Sequence, residues 1–152
     1  MKILVMAAGA VGGDFGGLLA RNGEDVTFVA RNQNLEAISS SGLKVESVRS
    51  GNFTIHPSVV DKLDGTWKAD LVLFTVRSYH NEQAMETIKP AVGDNTNILT
   101  LENGIGSGDQ IGEMFGQDKV LLGCAYVEAM RRAPGVFAEV GGPCRIVFGE
   151  ID

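Results

Sequence analysis

The chain has few of the residues that build disulfide scaffolds and metal centres. Its 152 residues include two cysteines and two histidines. Cys124 and Cys144 lie far from any other cysteine or histidine at a metal-ligand spacing, and His56 and His80 stand alone. We therefore predict no metal site, and we expect the cysteines to be separate, buried thiols rather than a disulfide.

Long apolar runs and clusters of basic residues are also missing. No apolar stretch approaches the ~20 residues that span a bilayer, and the chain opens without a charged leader or a small-residue cleavage site. The net charge is −6, from 13 basic and 19 acidic residues. These absences argue against a membrane protein and against a nucleic-acid-binding surface. We expect one globular domain in the cytoplasm.

Glycine, in contrast, is abundant, at 20 of 152 residues. Several glycines fall in the first 31 residues, where an apolar run over 3–6 breaks into a small-residue turn over 7–13. An amphipathic segment follows, and then a second apolar run over 26–30. Strand, glycine turn, helix and strand in this order place the pyrophosphate of a dinucleotide on the N-terminus of the helix.

The turn departs in one position from the fingerprint G-x-G-x-x-G. The first glycine of that pattern makes a tight turn, the second lets the backbone approach the pyrophosphate, and the third lets helix and strand pack closely. Here Ala7 takes the first position, which a negative φ would accommodate, while Gly9 and Gly12 keep the other two. The alternative is a tight turn in another kind of α/β protein. The predicted pyrophosphate-binding residues are Ala7, Ala8, Gly9, Ala10, Val11 and Gly12.

The end of the second strand indicates which dinucleotide binds. NAD-binding domains carry an acidic residue near this position, whereas this chain has Arg31. A guanidinium binds a 2′-phosphate through two parallel charge-assisted hydrogen bonds, and Asn32 and Gln33 offer further donors. We therefore predict NADP as the cofactor. The alternative is a solvated arginine after a strand.

The rest of the chain alternates apolar runs with segments of helical period, which is typical of a parallel sheet covered by helices. Residues 43–48 and 52–55 indicate a small antiparallel hairpin, and Pro90 is expected to weaken the end of its helix. The fold class predicted is α/β, a Rossmann-type doubly wound sheet, mainly parallel, with antiparallel strands at the C-terminal end. The other strands are expected over 2–7, 25–30, 70–76, 97–101, 120–127, 136–140 and 145–149, and the helices over 10–22, 35–41, 81–92 and 110–115.

Taken together, these segments resemble the N-terminal domain of the ketopantoate reductase (2-dehydropantoate 2-reductase) family. The resemblance covers essentially the whole chain. It rests on residues 1–5, 8–13, 25–31, 70–77, 101–106, 123–126 and 134–136.

The resemblance implies NADPH-dependent reduction of 2-dehydropantoate, a small keto acid, to pantoate in pantothenate biosynthesis. It implies cofactor contacts from Gly9, Gly12, Arg31 and Asn103. Family members usually carry a lysine that reaches the cofactor near its ribose, where this chain has Arg77. We expect the ligand at the carboxyl ends of the strands, between those over 2–7 and 70–76.

Two acidic residues depart from the family pattern. Asp14 stands where the family often has an aromatic residue, and it either favours the helix dipole or faces the pyrophosphate. Glu102 stands where glutamine or histidine is common, and it either points to solvent or adds a charge near the nicotinamide.

The catalytic groups of the family lie in a second, helical domain, and nothing in residues 1–152 corresponds to it. We therefore expect residues 1–152 to be the dinucleotide-binding domain alone. No catalytic residue is assigned, although Lys89, Lys119, Tyr79 and His80 offer suitable chemistry.

Two other functions stay open. One is another 2-keto acid, 2-hydroxy acid or glycerol-3-phosphate-type dehydrogenase, and the other is a free-standing, non-enzymatic NADP-binding module. A domain without its partner is also expected to expose an apolar patch, through which it would form a homodimer.

Overall fold

The computed structural model describes residues 1–150, and that range contains nine strands and four α-helices. The helices are α1 (Ala10–Arg21), α2 (Asn32–Ser41), α3 (Asn81–Ile88) and α4 (Ser107–Phe115). Single 3₁₀ turns cover Ser78–His80, Lys89–Ala91 and Gln117–Lys119. The strands are β1 (Lys2–Met6), β2 (Asp25–Val29), β3 (Leu43–Ser47), β4 (Phe53–Ile55), β5 (Ser58–Val60), β6 (Leu71–Phe74), β7 (Asn97–Thr100), β8 (Val120–Ala133) and β9 (Val136–Glu150).

These strands form one sheet in the order β4-β3-β9-β8-β7-β6-β1-β2-β5. β1 lies inside the sheet and pairs in parallel with β2 on one side and β6 on the other. The chain order therefore reverses between β1 and β6, the switch point at which doubly wound sheets bind their ligands. The prediction of a Rossmann-type, mainly parallel α/β fold is confirmed.

Two features of the sheet differ from the prediction. The short strand β5 pairs in parallel with β2 and was not expected, because three residues are too few to show a periodic pattern. The segments over 136–140 and 145–149 are one strand, β9, rather than two. The intervening Gly141-Gly142-Pro143 reads as a turn in the sequence, but a bulge in the β8–β9 ladder absorbs it.

The sheet curls around α1, because β3 pairs in parallel with β9 and brings the end of the sheet back over the helix. Three glycines on α1 allow this enclosure. A Cβ would overlap the Phe137 ring at Gly13, and it would lie 2.7 Å from Phe28 at Gly16 and 2.9 Å from Val45 at Gly17. These neighbours belong to three different strands, so no larger side chain fits on these faces of α1.

Three helices begin or end at residues other than those that the apolar periodicity predicts. α2 and α4 each begin three residues earlier than predicted, at Asn32 and Ser107, because their first turns are polar and carry no apolar signal. α3 ends at Ile88 and passes into the 3₁₀ turn that contains Pro90, as expected for a residue that lacks an amide hydrogen.

The outer face of the β8–β9 hairpin is apolar and exposed. Leu122, Cys124 and Tyr126 alternate along β8, and Val147 of β9 lies opposite Cys124. Both cysteines are free thiols as predicted, but neither is fully buried, since Cys124 is exposed and Cys144 is partly buried. We call Leu122, Cys124, Tyr126 and Val147 the hairpin patch. None of the helices in the described range is long and apolar enough to cross a bilayer.

Candidate active site

A cleft of about 1220 Å³ lies at the carboxyl edge of the sheet, over the switch point between β1 and β6. Its walls come from the turns that follow β1, β2, β6 and β7 and from part of β8. Every residue that the sequence predicts to bind the cofactor lines this cleft except Gly12. Those lining residues are Ala7, Ala8, Gly9, Ala10, Val11, Arg31, Arg77 and Asn103.

The two glycines kept from the fingerprint face different surroundings. Gly9 caps α1 in an extended conformation, and outside its own stretch of chain no atom of residues 1–150 lies within 4 Å of a Cβ built there. At Gly12 a Cβ would lie 2.5 Å from Oγ1 of Thr75 and closer still to the carbonyl oxygen of Ala7. Gly9 thus opens the backbone to the cleft, whereas Gly12 brings α1 close to the sheet.

Ala7 adopts the conformation for which the fingerprint uses glycine. Its φ is +74°, where we expected a negative value. The turn that requires it is fixed by two hydrogen bonds to the Ala7 carbonyl oxygen, from Gly9 N at 2.9 Å and Thr75 Oγ1 at 3.1 Å. The left-handed region costs an L-residue roughly 1–2 kcal/mol, so the methyl group strains the turn.

Replacing Ala7 with glycine is expected to raise the free energy of unfolding by about 1 kcal/mol, since relief of the strain exceeds the added entropy of the unfolded chain. Urea unfolding would measure the change. The control is Ala8→Gly, because Ala8 is buried and does not have a positive φ, and this change is expected to destabilise the domain. An Ala7→Gly variant that is no more stable than the wild type would contradict the argument.

Asn34 links the turn after β1 to the turn between β8 and β9, a role that no sequence pattern indicated. Its amide nitrogen donates to the carbonyl oxygen of Ala8 at 2.7 Å, and its amide oxygen accepts from Gly135 N at 2.7 Å. Asn34 is buried, so both bonds are shielded from water. The turn that would meet a pyrophosphate is therefore held from both sides.

Arg31 stands where the cleft meets a second cavity of about 570 Å³. It lies two residues after the end of β2 and caps α2 in an extended conformation. Within residues 1–150 its guanidinium makes one hydrogen bond, a long one of 3.5 Å to Oγ1 of Thr87. Its donors therefore remain available to an anion. The second cavity is lined further by Asn32, Leu35, Asp61, Lys62, Leu63, Gln83, Glu86, Thr87 and Pro90.

The other end of the cleft combines two exposed residues on turns after neighbouring strands. Arg77 follows β6, and Asn103 follows β7 in a loop where Gly104 and Gly106 have φ of +117° and +98°. Because β6 and β7 are adjacent and parallel, both turns reach the same edge.

The wall across from these turns comes from Ala129, Met130 and Arg131 of β8. The sequence missed this wall, since it predicted that the strand ends at residue 127. Tyr79 and His80 also line the cleft, with ring centroids 4.3 Å apart. Lys89 and Lys119 lie outside it, the first in an ion pair with Glu86 and the second bonded to a carbonyl oxygen.

Glu102 is a half-buried carboxylate on the wall beside Asn103. Its Oε2 lies 3.2 Å from Oγ1 of Thr100, and the Asn81 amide, with its nitrogen turned to the acid, donates to Oε1 at 2.5 Å. Burial raises the pKa of Glu102, and hydrogen bonds from Ser107, Thr100 and Asn81 offset part of that rise. Of the two alternatives from the sequence, the structure favours a charge on the cleft wall.

Asp14 fits neither alternative that the sequence left open. It lies beyond the first turn of α1 and is fully buried against β9, so it neither caps the helix nor reaches the cleft. The Cys144 thiol lies 3.8 Å from its Oδ2. Burial, followed by the charge of Glu139, raises the pKa of Asp14 from 3.8 to about 6.

Within residues 1–150 no group of three or more His, Cys, Asp or Glu side chains is placed to hold a metal ion. The site in the described chain is thus a long cleft with an open backbone turn in the middle and an arginine at each end. Such a cleft is typical of dinucleotide binding.

Comparisons with known proteins identify the family to which this chain is similar. The family model described as ketopantoate reductase PanE/ApbA matches residues 3–152. The 2-dehydropantoate 2-reductase of Pyrococcus horikoshii is 38% identical over 136 residues, which cover 90% of this chain and 43% of that protein.

Solved structures agree in fold. The crystal structure of 2-dehydropantoate 2-reductase from Geobacter metallireducens GS-15 matches with a TM-score of 0.92 at 37% identity, over 99% of this chain and 49% of that one. D-mandelate dehydrogenase, solved with NADH and anilino(oxo)acetate, shares the fold at 24% identity and a TM-score of 0.85, over 93% of this chain and 46% of that one. The chain spans about half the length of these relatives, and it belongs to the ketopantoate reductase family.

Proposed function

We propose that this chain is the NADPH-binding domain of an oxidoreductase that reduces 2-dehydropantoate to pantoate, in pantothenate biosynthesis. The observation that carries the proposal is the cleft at the switch point. There the backbone at Gly9 is accessible, and the Arg31 guanidinium makes one long hydrogen bond within residues 1–150. Both cysteines are free thiols, which suits the reducing cytoplasm.

The turn after β1 fits a pyrophosphate. The first amide groups of α1 have no partner inside the helix, and the dipole of α1 adds partial positive charge at the same place. The empty space over Gly9 lets the phosphate oxygens approach these amides. In this assignment Ala8, Ala10 and Val11 contribute backbone contacts, and Gly12 sets the position of the helix behind them.

The ends of the cleft fit the two halves of the cofactor. Arg31 would bind the 2′-phosphate, and the adjoining cavity of about 570 Å³ would take the adenine. Arg77 and Asn103 would hold the nicotinamide half. The bound cofactor supplies the hydride.

The substrate site and the proton donor are assigned to a second domain, because the relatives are about twice as long as this chain. The hairpin patch offers an apolar surface on which such a domain would pack, or through which two copies would form a homodimer. Arg77 and Arg131 place positive charge at the nicotinamide end of the cleft, which suits the carboxylate of a keto acid.

Titration with NADPH and NADH tests the cofactor assignment. Arg31→Ala is expected to weaken NADPH binding by about ten- to a hundredfold and to leave NADH binding nearly unchanged, because only NADPH carries the 2′-phosphate. Quenching of protein fluorescence or calorimetry would give both dissociation constants.

The matched control is Arg132→Ala, since Arg132 is an exposed arginine that pairs with Glu46 outside the cleft. It is expected to bind both nucleotides like the wild type. Equal affinity of the wild type for NADH and NADPH, or unchanged NADPH binding by Arg31→Ala, would overturn the assignment.

In a protein that joins this domain to its catalytic domain, a panel of 2-keto acids would then decide the substrate. Failure to reduce 2-dehydropantoate would favour another 2-hydroxy acid dehydrogenase.

A further inference from the structure

Glu102 places a negative charge at the end of the cleft assigned to the nicotinamide. We propose that this charge shifts the cleft's preference towards the oxidised, positively charged nicotinamide, relative to the neutral reduced form. The inference rests on the proposed function, because that function places the nicotinamide beside Asn103. It adds a role for a residue at which this chain departs from its family pattern.

The position of the carboxylate is fixed by the fold. Glu102 follows β7, bonds to Thr100 on that strand, and reaches the first residue of α3 through the Asn81 amide. Ser107, the first residue of α4, adds a further hydrogen bond. The carboxylate therefore lies between the N-termini of two helices, whose dipoles stabilise it. These contacts keep the charge on the cleft wall.

A half-buried charge acts on its neighbours more strongly than an exposed one, since less water and salt lie between them. The oxidised nicotinamide ring carries one positive charge and the reduced ring carries none, so a nearby carboxylate lowers the free energy of the oxidised form alone. Arg77 and Arg131 at the same end act in the opposite sense. They remain in every variant proposed below, so the contribution of Glu102 can be isolated.

This preference would assist reduction of a carbonyl group. When the reduced ring gives up its hydride, positive charge develops on it, and a group that stabilises this charge contributes more in the transition state than in the ground state. Glu102 would therefore make the bound reduced cofactor a stronger hydride donor, without contacting the substrate.

The test compares the dissociation constants of NADP⁺ and NADPH for this chain at pH 8, in the wild type and in Glu102→Gln. Glutamine keeps the size of the side chain and much of its hydrogen bonding but removes the charge. The ratio of the NADP⁺ constant to the NADPH constant is expected to rise about three- to tenfold in Glu102→Gln. Glu102→Asp keeps the charge and is expected to keep most of the wild-type ratio.

Glu113→Gln serves as the matched control, because Glu113 is exposed on α4 and lies outside the cleft; its ratio is expected to equal the wild-type value. An unchanged ratio in Glu102→Gln would overturn the inference. So would an equal loss of affinity for both forms, which would indicate a purely structural role. If the wild type binds neither nucleotide, the proposed function fails instead.

Discussion

Gly12→Ala is expected to lower the free energy of unfolding by at least about 2 kcal/mol. The new methyl group would lie 2.5 Å from Oγ1 of Thr75 and would overlap the carbonyl oxygen of Ala7. Neither atom can move freely, since the Thr75 hydroxyl shares its one hydrogen between Met6 O at 2.9 Å and Ala7 O at 3.1 Å. The Ala7 carbonyl oxygen also accepts from Gly9 N. Such overpacking typically costs about 1–3 kcal/mol or more, against the ~1 kcal/mol that alanine gains over glycine in a helix.

The companion change, Gly9→Ala, separates packing from binding at the same turn. It is expected to leave the free energy of unfolding within about 0.5 kcal/mol of the wild type, because the methyl group would enter open space at an ordinary φ of −94°. It is expected to weaken NADPH binding at least about tenfold, because that space is where the pyrophosphate would approach the backbone.

Urea unfolding and NADPH titration on both variants would distinguish the two roles. If Gly9→Ala binds NADPH like the wild type, the pyrophosphate does not approach the backbone here. If Gly12→Ala is as stable as the wild type, α1 has room to shift, and the close contact with Thr75 does not constrain it.

The first 31 residues show how far the sequence could predict this fold. β1, the turn, α1 and β2 are consecutive, so each local pattern matched an element that pairs or packs with its neighbour in the chain. The position of Arg31 after β2 followed from the same spacing. The family resemblance extended this prediction to Arg77 and Asn103, which the structure places at one end of the cleft.

What the sequence missed depends on residues that are far apart in the chain. The curl of the sheet comes from pairing β3 with β9, where Lys44 lies opposite Val136. Nothing near either strand indicates that partner. The cleft wall at residues 129–131 and the burial of Asp14 both follow from this curl, so these features could not be found from local patterns.

The strain at Ala7 has a different origin. A fingerprint match that tolerates alanine in place of glycine contains no information on φ, and the +74° value is seen only in the backbone of the folded turn. Sequence spacing therefore located the site, whereas its energetics required the structure.

Burial of Asp14 is expected to make the domain about 2 kcal/mol less stable at pH 8 than at pH 4. Its pKa is about 6 in the folded state and ordinarily 3.8, so the folded protein holds the proton more tightly than the unfolded chain. The resulting stability is fully present below pH 3.8 and is lost as the pH rises through 6. Within residues 1–150, Oδ1 of Asp14 and Oε1 of the neighbouring Glu139 have no hydrogen-bond partner, which is the physical source of the penalty.

Asp14→Asn removes the charge with little change in shape, and we expect it to abolish most of this difference. Unfolding measured in urea at several pH values should show the variant and the wild type diverging between about pH 4 and pH 6, with the variant more stable by about 3 kcal/mol at pH 8. Asp109→Asn is the control, because Asp109 is exposed on α4; it should follow the wild-type profile. Groups far from Asp14 contribute equally to both profiles, so the difference between the two proteins reports on Asp14 and its immediate neighbours. If the free energies of unfolding of the wild type and of Asp14→Asn change in parallel with pH, water or a rearranged neighbour solvates the carboxylate. The enclosure of α1 by β9 would then be looser than these contacts indicate.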